Sequence, residues 1–352
     1  MIIIFFYTIF LNSLCYLSYI KSLGGNNMTI IKKLALVVVS LSLVAVSSVS
    51  SAKPFTPKKP VELIIPAGQG GGADEIARLV QGVIEKNDYA SKPVIPINKK
   101  GGSGGEAMTY VKKKAGDEHT LIITLNNVLT TPVNQPELGI DFFNDFTPLA
   151  RLITDTFLVW IATEGKNTQG VETFDDFIAL ARGNGLVMGG TGSMSEDELL
   201  LGMMRGQFGF DAKYVPYDGG GAVAKGLVGG ESDFTLNNPS EQMGFYQSGD
   251  SKALVMMTPE RNPAFPDVPS SYELGYPDLE YYMMRAFMAP AGIDAEVEKY
   301  YTGLLHTVYH DDEFQTFNID DGKLMSWLEG YGLKDFLAIE YAKHGEIIKN
   351  FN

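Results

Sequence analysis

The sequence predicts an α/β fold with two lobes, each built on a mostly parallel sheet flanked by helices, and a ligand cleft between the lobes. Two observations lead to this prediction. From residue 61 onwards, short β-rich runs alternate with helical stretches, a pattern typical of parallel strands covered by helices on both faces. The 352 residues also exceed what one hydrophobic core usually holds, even after removal of an N-terminal leader.

Residues 1–52 are interpreted as an N-terminal extension followed by a signal peptide. An apolar run at 34–49 follows two lysines and ends in small residues, which predicts cleavage after Ala52 and export to the periplasm. Met28 is a candidate start of translation. The earlier apolar run at 2–19 is then either an upstream extension or a membrane anchor, because about 18 apolar residues can just span a bilayer.

The composition of the exported chain excludes several classes of function. Cleavage removes Lys21, Lys32 and Lys33 and no acid, so the 28 Lys and Arg fall to 25 against 42 Asp and Glu, a net charge of −17. This charge disfavours binding to nucleic acid or to an anionic membrane. The single cysteine, Cys15, precedes the cleavage site, so the exported chain can form no disulfide and no cysteine-ligated metal site.

Six β-rich runs are predicted as strands, and helical patterns fall between most of them. In such a fold, ligands bind beyond the carboxyl ends of the strands. The predicted strands are residues 61–65, 93–97, 120–125, 186–189, 213–216 and 232–236.

Two segments are predicted to carry the chain between the lobes. The extended apolar run at 142–162 interrupts the alternation and is interpreted as the first crossing, and the run at 281–290 as the second. Residues 53–155 together with 285–352 are therefore predicted to form lobe 1, and residues 156–284 lobe 2. Two crossings place the ligand between lobes that are joined by a hinge.

The segment 61–78 predicts an anion site, because a strand runs into five glycines and then opens a helix. Glycines allow a close backbone approach, and the first amides of a helix lack intrahelical acceptors. Asp74 is predicted as the N-cap of this helix, which should extend to about Asn87. The alternative is a tight turn without a ligand. The glycines expected nearest the ligand are Gly68, Gly70, Gly71 and Gly72.

The same loop also matches a dinucleotide fingerprint, since residues 68–73 read G-x-G-x-x-A between a strand and a helix. That fingerprint requires an acidic residue at the end of the second strand to bind a ribose hydroxyl. Here the second strand ends in Asn98, Lys99 and Lys100, so an NAD-dependent oxidoreductase is kept only as an alternative.

Three further glycine-rich turns precede predicted helices, at 101–106, 189–193 and 218–221. Four such turns, two on each lobe, can hold two separated negative groups, as in a dicarboxylate, without burying many charged side chains. Some polar neighbours could add neutral hydrogen bonds or be ordinary loop residues. These neighbours are Thr191, Ser193, Asn126 and Asn127.

Five segments, in order and spacing, resemble the extracytoplasmic solute receptors of tripartite tricarboxylate transporters, also called the Bug or TctC-like family. The resemblance covers essentially the whole exported chain. The segments are IIPAGQGGGADEIAR, NKKGGSGGEAM, GGTGSMSEDELL, YVPYDGGGAVAKGLVGGESDF, and FPDVPSSYELGYPDLEY with MAPAGI.

This resemblance implies a type II-like periplasmic binding protein. Such a protein closes around a carboxylated solute and delivers it to the large and small membrane subunits of a transporter. It implies no cofactor, no metal and no nucleic acid, and we expect a monomer. With Arg285 and the two asparagines added, the expected ligand-binding residues are Ala67, Gly68, Gln69, Gly70, Gly71, Gly72, Asp74, Gly102, Ser103, Asn126, Asn127, Gly190, Thr191, Gly192, Ser193 and Arg285.

Glu196, Asp197 and Arg285 are the unusual positions. Many members of the family resembled carry a histidine where this chain has Glu196 and Asp197, and acids there would repel a carboxylate. They are interpreted as caps that point away; the alternative is contact with a hydroxyl, a cation or a protonated part of the ligand. Arg285 lies among apolar residues and is predicted to reach the ligand or an acid in the hinge.

An enzyme finds little support in the sequence, which carries no nucleophile elbow, no phosphate-loop lysine and no acid pair of defined spacing. A solute receptor is therefore the prediction. One alternative keeps the binding but changes its use, since a receptor can also pass its signal to a sensor kinase instead of a permease.

Overall fold

The computed structural model describes residues 54–193 and 195–351, whose strands form two sheets. The predicted signal peptide, its cleavage after Ala52 and Cys15 lie outside the described residues. Residues from 54 onwards form one compact unit that contains both sheets. No helix in the described ranges is long and apolar enough to cross a membrane.

Eleven strands and eleven α-helices are found in the described residues. The strands are β1 (Val61–Ile65), β2 (Val94–Asn98), β3 (Thr120–Thr124), β4 (Phe146–Thr156), β5 (Leu158–Ala162), β6 (Leu186–Thr191), β7 (Ala212–Tyr217), β8 (Phe234–Thr235), β9 (Ser251–Met256), β10 (Tyr282–Pro290) and β11 (Leu324–Glu329). The helices are α1 (Gly72–Lys86), α2 (Gly105–Lys112), α3 (Asn127–Asn134), α4 (Phe142–Asp145), α5 (Phe174–Gly183), α6 (Glu196–Phe208), α7 (Gly220–Val228), α8 (Pro239–Ser248), α9 (Ala295–Tyr309), α10 (Asp312–Asp320) and α11 (Gly330–Phe351). Short 3₁₀ helices occur at Gly101–Gly104, Pro136–Leu138 and Pro277–Leu279.

The first sheet has six strands in the order β11-β4-β10-β3-β1-β2. β1 pairs in parallel with β2 and β3, whereas β10 runs antiparallel to both β3 and β4, and β11 runs antiparallel to β4. The sheet is therefore mixed, with four strands in one direction and two in the other. The sequence predicted a mostly parallel sheet, because a β-rich run does not reveal the direction in which its strand enters the sheet.

The second sheet has five strands in the order β7-β6-β8-β5-β9. β6 pairs in parallel with β7 and β8, and β5 lies antiparallel between β8 and β9. Only Phe157 separates β4 in the first sheet from β5 in the second. The chain returns to the first sheet with β10. These two passages fall within the predicted crossings, while the predicted lobe boundaries themselves stay a prediction.

Alternating side chains on the central strands build separate cores on the two faces of each sheet. On β1, Leu63 and Ile65 pack with α1 and α9, whereas Ile64 packs with α2, α3 and α11. This alternation follows from the two-residue repeat of a strand, which sends successive side chains to opposite faces. In the second sheet, Val159 packs with α5 and α6, and Trp160 packs against α7. Both sheets are thus covered on both faces.

Candidate functional site

A cavity of about 530 Å³ lies where the glycine-rich turns of the two sheets meet. The turns that follow β1 and β2 form one side, and those that follow β6 and β7 form the other. Both sets of turns leave the carboxyl ends of parallel strands, where ligands bind in open α/β sheets. Ten of the expected binding residues line this cleft: Ala67, Gly71, Gly72, Gly102, Ser103, Asn127, Thr191, Gly192, Ser193 and Arg285.

Three expected residues of the first loop do not lie on the cleft wall but shape the turn. Gly68 packs against the turn after β7, because a Cβ there would lie 2.6 Å from the Asp218 carbonyl oxygen. Gln69 is exposed. Gly70 has a φ of +76°, which favours glycine, and its N–H donates to Asp74 Oδ2 at 3.0 Å. The first loop therefore meets the opposite loop directly.

Asp74 is buried away from the wall and braces the first loop. The N-cap of α1 is Gly71, so the prediction of Asp74 as N-cap is wrong: the helix begins two residues earlier than its first acidic residue. Asp74 accepts hydrogen bonds from Arg78 Nε and Asn98 Nδ2, both at 2.9 Å. Burial raises the pKa of Asp74, but the bonds from Arg78, Gly70 and Asn98 outweigh it and lower the pKa below its usual value.

The amino terminus of α1 faces a carboxylate that belongs to the protein. The Gly72 N–H donates to Glu241 Oε1 at 3.0 Å, although Glu241 lies on α8 beside the other sheet. A Cβ on Gly220, the first residue of α7, would overlap the same carboxylate. Burial raises the pKa of Glu241, while Arg285 and the Gly72 N–H act in the opposite direction. A pyrophosphate at this helix terminus would meet Glu241, which disfavours the dinucleotide alternative.

The second loop contributes Gly102 and Ser103, both in the left-handed region with φ of 60° and 50°. This conformation is strained for serine. Two side chains from α3 hold it, since the Ser103 carbonyl accepts from Asn127 Nδ2 at 3.1 Å and from Thr131 Oγ1 at 2.9 Å. Ser103 Oγ donates to the Ser193 carbonyl oxygen at 2.7 Å. This bond links the two sides of the cleft.

Asn126 is buried behind the wall and fixes β10 at the second crossing. Its Nδ2 donates to the Tyr282 carbonyl oxygen at 2.8 Å, and its Oδ1 accepts the Met284 N–H at 3.1 Å. A third bond joins Nδ2 to the Tyr281 hydroxyl at 3.2 Å. These contacts leave Asn127 on the cleft wall and place Asn126 between the loop and the strand.

On the opposite side, the turn after β6 presents Thr191, Gly192 and Ser193 to the cleft. Gly190 lies beneath them, because a Cβ there would approach the Tyr214 ring and hydroxyl at 2.5 Å. Gly192 has a φ of +67°. The Thr191 N–H donates to Asp197 Oδ2 at 2.6 Å. A hydrogen bond therefore holds this loop against the first turn of the helix that follows it, α6.

Glu196 and Asp197 line the cleft and are 4% and 6% exposed. Both residues lie on the cleft wall, so the interpretation of them as caps that point away from the ligand is wrong. Glu196 Oε1 accepts from Thr130 Oγ1 at 3.1 Å, across from the first sheet. Burial raises the pKa of Asp197 to about 8 and also raises the pKa of Glu196. The second side of the cleft thus contains two buried carboxyl groups.

Arg285 lies on the cleft wall and is 2% exposed. Its Nη2 contacts Asp155 Oδ2 at 2.7 Å and Asn238 Oδ1 at 2.9 Å. Asp155 lies near the end of β4 and is the acidic partner that the apolar surroundings of Arg285 predicted. Within the described residues, Arg285 Nε has no hydrogen-bond acceptor. A Cβ on Gly72 would overlap the guanidinium, so the first loop packs directly on it.

Sequence reasoning missed several wall residues. Lys100 Nζ and Asp218 Oδ2 form an exposed ion pair at 2.6 Å, and Glu241, Asn238 and Tyr217 also line the cleft. Asp218 precedes the glycines at 219–221, so its place on the wall could have been inferred. Glu241 gave no signal, since an acid in the first turn of a helix is usual.

No group of three or more His, Cys, Asp or Glu residues suited to a metal ion is found within 54–193 and 195–351.

The chain is similar to proteins of one family. The family model described as "Tripartite tricarboxylate transporter family receptor" matches residues 76–352. Protein BugT of Bordetella pertussis is 26% identical over 275 residues, which cover 77% of this chain and 82% of BugT. The match to the family model extends over more than half of the chain.

Three proteins of solved structure have a similar fold. Periplasmic binding protein BugD superposes with a TM-score of 0.78 at 19% identity, covering 84% of this chain and 98% of BugD. MatC from Rhodopseudomonas palustris with bound malate gives 0.74 at 22%, covering 83% and 99%. Rpa4515 from the same organism with adipate gives 0.75 at 24%, covering 83% and 97%. The predicted fold class, a two-lobed periplasmic binding protein, is confirmed.

Proposed function

Because the chain belongs to the tripartite tricarboxylate transporter receptor family, we propose that it is a periplasmic receptor that captures a small carboxylated solute in the cleft described above. The family is one of solute-binding receptors, which bind their ligand without changing it. The receptor then delivers the solute to the large and small membrane subunits of a tripartite transporter.

The observation that carries this proposal is the buried guanidinium of Arg285 on the wall of a cavity of about 530 Å³. Its Nη2 is taken by Asp155 and Asn238, but its Nε has no acceptor among the described residues. A buried donor without a partner costs free energy, and a carboxylate is the group that guanidinium binds best. A ligand carboxylate would supply the missing acceptor.

Relatives of the same fold support a small organic acid as the ligand class. MatC was solved with bound malate and Rpa4515 with adipate. Both ligands are short dicarboxylates, and pockets of a few hundred Å³ typically hold small ligands. For this chain we propose a small organic acid and leave its length and its further groups to the experiment.

We propose that the ten wall residues from the sequence-based set contact the ligand directly, with Arg285 at the anionic end. The remaining six act on the shape of the site. Gly68 and Gly70 set the first turn, Asp74 braces it, and Asn126 holds β10. Gln69 and Gly190 complete the turns at the two sides.

The two predicted lobes, 53–155 with 285–352 and 156–284, would open and close about the crossings near Phe157 and Tyr281. Closing would bring the loops together, and four contacts between the two sides are available for this. These contacts are Gly72 with Glu241, Lys100 with Asp218, Ser103 with Ser193, and Thr130 with Glu196.

A thermal-shift screen of mono-, di- and tricarboxylates tests the proposal on the purified protein. A true ligand at about 100 times its Kd stabilises the folded state by roughly 2.7 kcal/mol. Arg285→Met should abolish the shift. The matched control is Arg261→Met, which removes an arginine paired with Glu273 outside the cleft wall and should leave the shift intact. The absence of a shift with every carboxylate, in a cooperatively folded protein, would contradict the proposal.

A further inference from the structure

The charged groups on the cleft wall are mostly acidic. Glu196 and Asp197 are buried there, Glu241 is partly exposed, and Asp218 lies at the exposed edge. Within the described part of the chain, the basic residues on the wall are Lys100 and Arg285. Lys100 pairs with Asp218, and Arg285 pairs with Asp155 behind the wall. The acids of the wall therefore exceed the positive charge that the protein supplies.

The two sides of the cleft differ in the group that each offers to a ligand. One side presents Arg285, whose buried Nε lacks an acceptor. The other presents Glu196 and Asp197 in the first turn of α6. Glu196 accepts hydrogen bonds from the Thr130 hydroxyl and from its own backbone N–H, and Asp197 accepts them from the N–H and the side chain of Thr191. A carboxylate has about four acceptor sites, so both retain capacity for a donor on the ligand.

We propose that the ligand is a carboxylate that also carries an ammonium group, with its carboxylate at Arg285 and its ammonium at Glu196 and Asp197. This inference rests on the proposed function and names the class of solute within it. The two acids are then specificity-determining residues.

Other small acids fit the wall less well. A simple dicarboxylate would place its second carboxylate beside Glu196 and Asp197, where it is repelled whenever either acid is ionised. A hydroxyl group could donate one hydrogen bond but brings no positive charge, so Asp197, whose pKa is raised to about 8, would keep its proton near neutral pH. Burial raises the pKa values of Asp197, Glu196 and Glu241, and the attraction of Arg285, which lowers those of Glu196 and Glu241, does not offset it. An ammonium group supplies both the donors and the charge.

Matched pairs of ligands test the inference by isothermal titration calorimetry on the purified protein. Each pair shares one carbon skeleton and differs by one amino group: succinate and aspartate, glutarate and glutamate, adipate and 2-aminoadipate. We expect the amino acid of the best-fitting pair to bind at least about 100-fold more tightly, as polar sites reject analogues that lack the bonded group. Malate, the hydroxylated C4 acid, should fall between succinate and aspartate.

Isosteric variants assign the preference to the two acids. Glu196→Gln and Asp197→Asn should each weaken binding of the preferred amino acid by about tenfold or more and strengthen binding of its partner without the amino group. Glu198→Gln is the control, because Glu198 follows on the same helix but does not line the cleft. It should change neither affinity. Melting temperatures of the free variants check that each one folds.

Two results would overturn the inference in different ways. If a plain dicarboxylate binds as tightly as its amino derivative, the ammonium site is wrong, although the carboxylate receptor stands. If none of the six probes binds, the inference also fails. The wider carboxylate screen then decides whether the receptor proposal fails with it. A preference for the amino acid that survives both isosteric substitutions would likewise remove Glu196 and Asp197 from the site.

Discussion

The first loop (67–72, leading into α1) and the opposite turn (190–193, leading into α6) each connect a strand to a helix. They differ in the carboxylate that accepts a hydrogen bond from the backbone. The Gly72 N–H donates to Glu241, which lies 169 residues away beside the second sheet. The Thr191 N–H donates to Asp197, only six residues further along the chain. The first contact therefore depends on how the two sides of the cleft meet, whereas the second is local.

This difference separates a contact that can respond to closure from one that cannot. If the two sides of the cleft move apart, the hydrogen bond between the Gly72 N–H and the Glu241 carboxylate breaks. Water must then solvate each group separately. The turn before α6 keeps its own bond throughout. We therefore expect substitutions around Gly72, Glu241 and Arg285 to change both stability and ligand affinity. Substitutions at Asp197 should act mainly through its own charge.

The largest expected effect comes from Asp155→Asn, which leaves the buried Arg285 without its ion-pair partner. Removing one partner of a buried pair typically costs about 3–5 kcal/mol of unfolding free energy. Urea denaturation followed by tryptophan emission measures it. The double variant Asp155→Leu/Arg285→Met should recover part of the loss, because neither charge then remains buried. A loss below about 1 kcal/mol for Asp155→Asn would show that the pair is solvated.

Gly72→Ala should have the next largest effect, because its Cβ would overlap a guanidinium held by Asp155 and Asn238. Overpacking of this kind costs about 1–3 kcal/mol and should also weaken ligand binding. Gly82→Ala is the control on the same helix, where a Cβ meets nothing within 4 Å. It should stabilise the helix by about 0.5–1 kcal/mol. Equal effects of the two changes would mean that the first loop does not pack on Arg285.

The fold could be predicted from the sequence where strands carry a regular apolar pattern. β1 matches its predicted bounds, and the predicted runs overlap β2, β3, β6, β7 and β8. Five strands lie outside the six predicted runs: β4, β5 and β10 fall in the segments interpreted as crossings, and β9 and β11 each lie at a sheet edge. β11 is half-exposed along most of its length, so it lacks an apolar face that would mark it. The direction of each strand could not be predicted from the sequence either, because strands pair with neighbours that are far away in the chain.

Prediction of the site succeeded for loops whose glycines are adjacent and failed for contacts between distant segments. The glycine-rich turns predicted eight residues that lie on the wall, and Asn127 and Arg285 were predicted from other segments. Glu241 was missed because only the fold brings α8 to the start of α1. Asp74 was assigned as a cap because acids favour that position, but Gly71 starts the helix and leaves Asp74 to bind Arg78 and Asn98.

The raised pKa of Asp197 predicts that the free energy of unfolding falls as the pH rises. Its pKa is raised to about 8 in the folded protein, against about 3.9 in an unfolded chain. Between these values the folded state holds a proton that the unfolded state has lost, so the unfolding free energy declines by up to about 1.4 kcal/mol per pH unit. Above pH 8 this contribution levels off.

Asp197→Asn should remove this part of the decline, which is measured by urea denaturation at steps between pH 5 and about 8. Glu196 and Glu241 have raised pKa values as well, so a smaller slope should persist. The control is Asp175→Asn, at a surface position on α5. An unchanged slope in Asp197→Asn would mean that this carboxyl group is ionised in the folded cleft, and its bond to Thr191 would then be a charged one.

The smallest effect is expected at the exposed edge of the cleft, where the side chains of Lys100 and Asp218 are 53% and 76% exposed. Surface pairs contribute about 0.2–1 kcal/mol and are screened by salt. A double-mutant cycle with Lys100→Met and Asp218→Asn should give a coupling free energy in that range that fades at about 0.5 M salt. The buried contact between Thr130 and Glu196 should show no such fading, since salt does not reach it. A coupling between Lys100 and Asp218 that resists salt would mean that closure of the cleft shields the pair from solvent. This pair would then respond to the ligand, as the first loop is expected to do.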